Sequence, residues 1–423
     1  MTLATSIFGS AIEPLRVHEV TDVPPDQGRR RILAFANRWL IPYLPYPHFM
    51  CVAPIDAILR ILWRAEWHIP PAYWPRLLLL LLLSGINTVA SLPERLILAA
   101  WLRLRPPRIE RHQAPVFVLG YFRSGTTFLQ NLLAADPALR SPRWHEVLAP
   151  QTFVLGWVIL RYLFVPILPL TRLDAVAPVG SSLPAEDDFA LNNWGGMSIL
   201  AGRAILPRRQ AYFNRFHDLD ALTPDERRRW RSHQLAFVQK LTLFAAGRRL
   251  LLKSPSHTAR VRHLLDLFPG AKFVHISRPP EVVFRSNLLL ARELQRAFAL
   301  QPPLPEDEQE EIITREYLVT EMHYLADRAL IPAGDLAEMR LQDLSADPMG
   351  EMKRIYRELG LPVSPGWEER MMEVATTFGK RLPNRHPELT ETQKVRLARL
   401  EPLAAAFGYS PEPDRGRCNG PQH

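Results

Sequence analysis

The sequence predicts an α/β fold: a three-layer α/β/α domain over residues 111–423 with a central, mainly parallel sheet, preceded by a helical hydrophobic region over residues 1–110. Three observations predict it. From about Ala114 onward, short runs of apolar and β-prone residues alternate with longer helical stretches, the pattern of parallel strands joined by crossover helices. The first of these runs ends on a glycine turn that opens directly into a helix. Residues before about 110 differ, being rich in leucine and proline, as in IPYLPYPHFM and YWPRLLLLLLLSGINTVASLPERLILAAWL. With 423 residues, 47% hydrophobic and 22% charged, the chain can bury a large core and does not read as disordered.

The elements follow in order. Leu77 to Pro93 carries no charge but falls short of the ~20 apolar residues of a spanning helix, so a buried or interfacial helix is expected there, with peripheral membrane contact left open. The run from Phe153 to Leu170 is broken by Arg161, Pro166 and Pro169 and reads the same way. Strands are expected at 115–120 (PVFVLG), 249–254 (RLLLKS), 271–277 (AKFVHIS) and 339–344 (MRLQDL). Helices are expected at TTFLQNLLAAD after the first strand, at HTARVRHLLDLF between the second and third, and at DPMGEMKRIYRELG, which Gly360 and Pro362 stop. PEDEQEEIITREYL is expected to start a surface helix.

Charge and composition narrow the function. A net charge of +9 calls for an anionic partner: a nucleotide, a nucleic acid or an acidic lipid surface. Two cysteines, Cys51 and Cys418, with no CxxC or Cys/His spacing exclude a disulfide framework and give no metal site. Glu13, Arg16 and Glu19 interrupt the N-terminus too early for a secretory core, so a cytoplasmic protein is expected. Arginine far outnumbers the six lysines, a bias that suggests GC-rich, bacterial coding and draws attention to each lysine, Lys253 in particular.

PVFVLGYFRSGTTFLQNLL is the most informative segment. A strand ends at Gly120, a turn runs through Tyr121, Phe122, Arg123, Ser124 and Gly125, and a helix begins near Thr126 and Thr127. Such a turn aims successive N–H groups at one spot, where the positive end of the helix dipole adds its pull on an anion. Gly120 and Gly125 have the spacing of a P-loop, but Thr126 stands where the ATP-binding lysine belongs, and the basic residue has moved upstream to Arg123. No acid follows FVHIS to help hold Mg²⁺, so ATP chemistry is poorly supported. Downstream, Arg278 lies just past a strand and Ser286 eight residues on, about two turns into the next helix, where the pair could hold another phosphate.

Together GYFRSGTT and the Arg278–Ser286 pair resemble the PAPS-dependent sulfotransferase superfamily, in particular the bacterial-type branch with an R-S-G-T-T loop. The resemblance covers roughly residues 114 to 365 and extends to LLKSP, LFPGAKFVHISRPPEVVFRS and RLQDLSADPMGEMKRIYRELGLP. It implies a P-loop-like domain that moves a sulfuryl group from PAPS to an acceptor hydroxyl or amine and releases PAP. The first element is then the 5′-phosphosulfate loop (Gly120, Arg123, Ser124, Gly125, Thr126, Thr127) and the second the 3′-phosphate site (Arg278, Ser286). Lys253, at a strand end in KSPSH, falls where related enzymes carry a catalytic lysine; with Arg123 it is expected to stabilise the departing phosphate. For the base, Glu146 in RWHEVLAP comes first, His257 second and His145 third. The family's nucleotide-covering loop has its nearest substitute in TTFGKRLPNRH, through Lys380, Arg381 and Arg385. The acids Glu186, Asp187 and Asp188 are read first as a helix-capping run, with a carboxylate facing substrate as the alternative. Trp144, Trp157 and Trp194 read as core. The acceptor, lipophilic or carbohydrate, stays open. A P-loop kinase, or a noncatalytic basic protein binding anionic membrane or nucleic acid, are the competing readings; the arginines are spread and no aromatic-basic motif is present, so no nucleic acid is expected.

Overall fold

In the computed structural model the residues described are 49–104, 109–154, 183–379 and 388–409. The chain forms two compact units, Met1–Tyr46 and Pro47–His423, and all described residues lie in the second. The expected contributions of Trp157, Lys380, Arg381, Arg385 and Cys418, and of nearly all the Phe153–Leu170 run, lie outside the described residues.

The core is a five-stranded, all-parallel sheet: β1 (Val116–Leu119), β2 (Leu139–Arg140), β3 (Arg249–Lys253), β4 (Lys272–Ser277) and β5 (Leu336–Arg340), in the order β2-β3-β1-β4-β5. β1, the first strand in sequence, is the central one, so the turn after it opens at the middle of the C-terminal edge, where ligands bind in open parallel sheets. Successive side chains on a strand point to opposite faces. Val116, Val118, Val274 and Ile276 accordingly pack on one face with helices α3 (Thr126–Ala134), α10 (Pro348–Glu358) and α11 (Trp367–Gly379). Phe117, Phe273 and His275 face the other way: Phe117 stacks on Phe273 at 5.6 Å between ring centroids, and His275 stacks on Tyr324 of α9 (Glu306–Asp327) at 4.0 Å. Three layers result.

The remaining described helices used below are α1 (Ile55–Arg64), α2 (Trp74–Leu104), α4 (Trp144–Leu148), α5 (Asp188–Gly195), α6 (Pro224–Leu243), α7 (Val261–Leu267) and α8 (Pro280–Phe298). α6 opens with a capping box, Thr223 accepting from the Glu226 amide and Glu226 from that of Thr223, with Pro224 at its first position. Two expectations are corrected. The last strand is Leu336–Arg340 rather than 339–344, because its register runs from Phe273↔Leu336 to Ser277↔Arg340 and ends with its partner; Leu341–Ala346 is a short helix. α9 is a surface helix only in part: Glu306, Asp307 and Glu308 of its first turn are exposed, but Glu310, Glu316, Glu321 and Asp327 are buried, each carboxylate meeting a partner. β2 has only two residues and leaves no run that the sequence could reveal.

Candidate functional site

The loop between β1 and α3 takes its shape from two glycines. Gly120 has φ +135°, and a Cβ there would lie 2.4 Å from the Ile276 carbonyl oxygen of β4. Gly125 has φ +102°, and a Cβ there would meet Leu341 at 2.6 Å. The backbone oxygen excludes a side chain at Gly120, while at Gly125 the flexible Leu341 could shift and the positive φ is what favours glycine. Arg123 sits between them at φ 73°. The loop is held from behind: Gly120 N–H donates to Thr258 Oγ1 at 2.7 Å, Tyr121 N–H to Glu321 at 3.0 Å, and Asn287 Nδ2 to the Phe122 carbonyl at 2.8 Å. Arg203, fully buried, donates to Glu316 at 2.7 Å, to Asn287 Oδ1 at 2.7 Å and to the Tyr121 hydroxyl at 3.3 Å, and its guanidinium lies over the Phe122 ring. These supports come from four distant parts of the chain.

The front of the loop offers donors. α3 begins without a side-chain cap, and its positive dipole end favours an anion there. Ser124 Oγ is buried and has no hydrogen-bond partner among the described residues, and the same holds for Ser254 and Ser256 at the end of β3. A buried hydroxyl with no partner costs free energy, so hydroxyls beside an anion-binding turn fit ligand oxygens.

The two anion elements meet. Arg123 Nε donates to Ser286 Oγ at 2.7 Å, and Arg278 donates to the Arg123 carbonyl at 3.3 Å. Pro279 and Pro280 start α8, as the sequence predicts, and put Ser286 two turns into it. Burial first, and then the neighbouring positive charge of Arg123, hold the Arg278 guanidinium below the ordinary arginine value. Two cations so close repel one another; an anion between them relieves the repulsion.

On the other side of the loop, Lys253 ends β3, donating to Glu186 at 2.6 Å and to Thr127 Oγ1 at 3.3 Å. Glu186, Asp187 and Asp188 each meet a different basic side chain at or after the end of β3: Lys253, His257 (2.8 Å) and Arg260 (2.8 Å). All six side chains are buried. Three adjacent buried carboxylates require such matching, because an unpaired buried charge is costly. Burial pushes the Asp187 carboxyl up, but His257 beside it and the Gln234 amide bring it below the usual carboxylate value. His257 presents its edge to Phe117 and keeps its other ring nitrogen, Nδ1, without a partner among the described residues.

Glu146 is placed elsewhere. One of its oxygens pairs with buried Arg140 and the other accepts the Arg143 amide at 2.8 Å, closing the first turn of α4. Both oxygens thus do structural work, and Glu186 rather than Glu146 meets Lys253. His145 is half-buried, Trp144 is buried and Trp194 half-buried. Sequence reasoning weighed Glu186 mainly as a cap and missed Arg203, Asn287 and Glu316. The signal for Glu186 was present: three consecutive acids, EDD, against three basic residues spaced four and three apart in KSPSHTAR.

Comparison with known proteins agrees with this geometry. Residues 115–156 and 189–365, about half of the chain, match the model of the group described as "Sulfotransferase family". The chain is 27% identical over 365 residues to the omega-hydroxy-beta-dihydromenaquinone-9 sulfotransferase Stf3 of Mycobacterium bovis, spanning 86% of this chain and 92% of that protein, and equally to Stf3 of Mycobacterium tuberculosis. Its fold resembles the crystal structure of sulfotransferase STF9 from Mycobacterium avium, with a TM-score of 0.60 and 21% identity over 84% of this chain and 97% of that one. Sulfotransferase STF1 from Mycobacterium tuberculosis H37Rv follows with a TM-score of 0.57 and 21% identity over 81% of this chain and 91% of that one.

Proposed function

Because the chain belongs to the sulfotransferase family, and so is an enzyme that transfers a sulfuryl group to an acceptor, we propose that its donor is PAPS, that Glu186 is the base, and that the acceptor is the hydroxyl of a lipophilic molecule. One juxtaposition carries the donor reading: Arg123 of the loop reaches Ser286, and Arg278 reaches the Arg123 carbonyl. Two anion-binding elements built into one cradle suit a nucleotide with two separate anionic groups. PAPS has them, a 5′-phosphosulfate and a 3′-phosphate; ATP, with one contiguous phosphate chain, does not.

In this reading the loop amides, Ser124 and Thr127 hold the 5′ end, while Arg278 and Ser286 hold the 3′-phosphate. Arg123 stands at the junction of the two, where its side chain meets Ser286. PAPS supplies an activated sulfuryl group whose leaving group is a phosphate. Lys253, at Thr127, meets the negative charge that gathers on the departing phosphate oxygen. Glu186, 2.6 Å from Lys253, takes the acceptor's proton as the acceptor oxygen bonds to sulfur and the old sulfur–oxygen bond breaks. Asp187 fixes the ring of His257 beneath this pair, which makes both positioning residues. The acceptor class is supported by the Stf3 relatives, whose name specifies an omega-hydroxy menaquinone derivative.

The test is transfer of radiolabel from PAPS to a prenylated quinone with a terminal hydroxyl. Label in the extracted lipid, abolished by Glu186→Gln, is the expected result. Label only in sugars or small phenols would contradict the acceptor, and no label from PAPS in any acceptor would contradict the donor.

A further inference from the structure

Helix α2 is built inside out. In an ordinary surface helix the apolar stripe faces the core and the polar face meets water. Here the inward positions Arg76, Ser84, Asn87, Ser91 and Glu94 are polar and buried, with Leu80 the one buried apolar residue among the described side chains of the helix. Their side chains are bonded: Arg76 donates to the Ala299 carbonyl at 2.7 Å, Ser84 to that of Ala53 at 2.6 Å, Asn87 to that of Val52 at 2.6 Å and Ser91 to that of Thr88 at 2.8 Å, while Glu94 accepts from buried Lys240 at 2.6 Å. The outward positions Leu78, Leu82, Ile86, Val89, Leu92 and Leu96 recur every three or four residues and are 47% to 69% exposed. Trp63, Trp67 and Trp74, at the approach to the helix and its first residue, are 73%, 51% and 53% exposed. An apolar stripe running the length of a 31-residue helix, ~46 Å at 1.5 Å per residue, is far more than scattered surface leucines.

From this inversion we infer that the outward face of α2 lies in the surface of a lipid bilayer, parallel to it, and docks the enzyme there. α2 is long and apolar enough to cross a membrane by length and composition. Its inward bonds argue against crossing: from Arg76 to Glu94 they tie ~27 Å of helix to the globular domain, nearly the thickness of a hydrocarbon core. Charge selects the occupant. The one acid of α2, Glu94, turns inward, while Arg95 and Arg103 stay at least partly exposed, and Arg60 and Arg95 share the single carboxylate of Asp56. An apolar strip bordered by cations and preceded by exposed tryptophans suits an anionic bilayer surface, where indoles sit at the headgroup level. The inference stands on α2 and does not need the acceptor reading.

Flotation of the full chain with vesicles tests it. The expected result is co-flotation with vesicles of phosphatidylcholine and phosphatidylglycerol, weaker with phosphatidylcholine alone. The quadruple variant Leu78→Ser, Leu82→Ser, Ile86→Ser, Val89→Ser changes only exposed side chains, so it should keep the wild-type melting temperature and PAP affinity while vesicle binding falls at least about tenfold. Equal flotation of the variant, or no flotation of the wild type on either vesicle, would overturn the inference. A wild-type dimer in lipid-free buffer that the variant dissolves, without flotation, would overturn it in favour of a second copy on this face. PAP affinity is read separately, so failure here is distinguishable from failure of the donor reading.

Discussion

Three carboxylates in this chain look alike in sequence and differ in what surrounds them. Glu146 closes a helix turn and pairs with Arg140; Asp187 orients His257; Glu186 alone meets the lysine at the loop. Glu186→Gln should therefore lower kcat about a hundredfold or more, with PAP affinity unchanged, in steady-state kinetics and titration. Glu146→Gln should instead leave Arg140 buried without a charge partner and cost about 3 kcal/mol in denaturant unfolding, with turnover of the folded enzyme retained. The opposite pattern would restore Glu146 as the base. Arg278→Ala should weaken PAP binding about 10- to 100-fold, the loss of a charged hydrogen bond or two, while leaving ADP binding nearly unchanged. The sequence placed Arg123, Ser124, Lys253, Arg278 and Ser286 because short motifs carry them at fixed spacing. It set Glu146 ahead of Glu186, since the surroundings of these carboxylates depend on partners 6 to 70 residues away, from Arg140 to His257.

At the scale of elements, β1, β3, β4 and the starts of α3 and α8 were legible because each is a dense apolar run closed by glycine or proline. β2 was not, being two residues whose pairing with Arg249 and Leu250 alone defines it. α9 was legible only in its exposed first acids; the partners that bury the later ones, such as Arg203 and Arg396, come from remote segments. α2 was expected to be buried or interfacial, and the structure exposes most of its apolar residues while its inward side buries Arg76, Ser84, Asn87, Ser91 and Glu94 with Leu80. The loop is the element on which the site depends. Gly120→Ala drives a methyl group into the Ile276 carbonyl and should cost about 1–3 kcal/mol in thermal unfolding and abolish PAP binding. A well-folded Gly120→Ala protein with wild-type PAP affinity would show that the turn is not the nucleotide's cradle.

The whole molecule hides histidines that it cannot easily charge. Burial, then the cations Arg260 and Arg203, lower His217 to about 3; burial, then Arg60 and Arg229, lower His233 to about 4. Unfolded, both take up a proton near pH 6.5, which the native state refuses until pH 3 to 4. The unfolded state thus binds more protons in that window, and stability must fall as pH falls. Denaturant melts should show little change above pH 7 and a loss of up to about 1.4 kcal/mol per pH unit for each histidine between pH 6.5 and 4, reduced in His217→Gln. A flat profile would mean that these rings are charged or exposed in the native state. Fold class was readable from alternation, and so were the two motifs proposed to bind anions, which the structure joins through Arg123. The enclosure of the site was not, because buried ion pairs leave no periodic trace. If the cradle reads a 3′-phosphate together with a 5′ anion, calorimetric titration with PAP against ADP and against ATP with Mg²⁺ will separate the three nucleotides. Tight PAP binding with weak ADP binding, the difference lost in Arg278→Ala, is the predicted result; ATP or ADP binding as tight as PAP would contradict it.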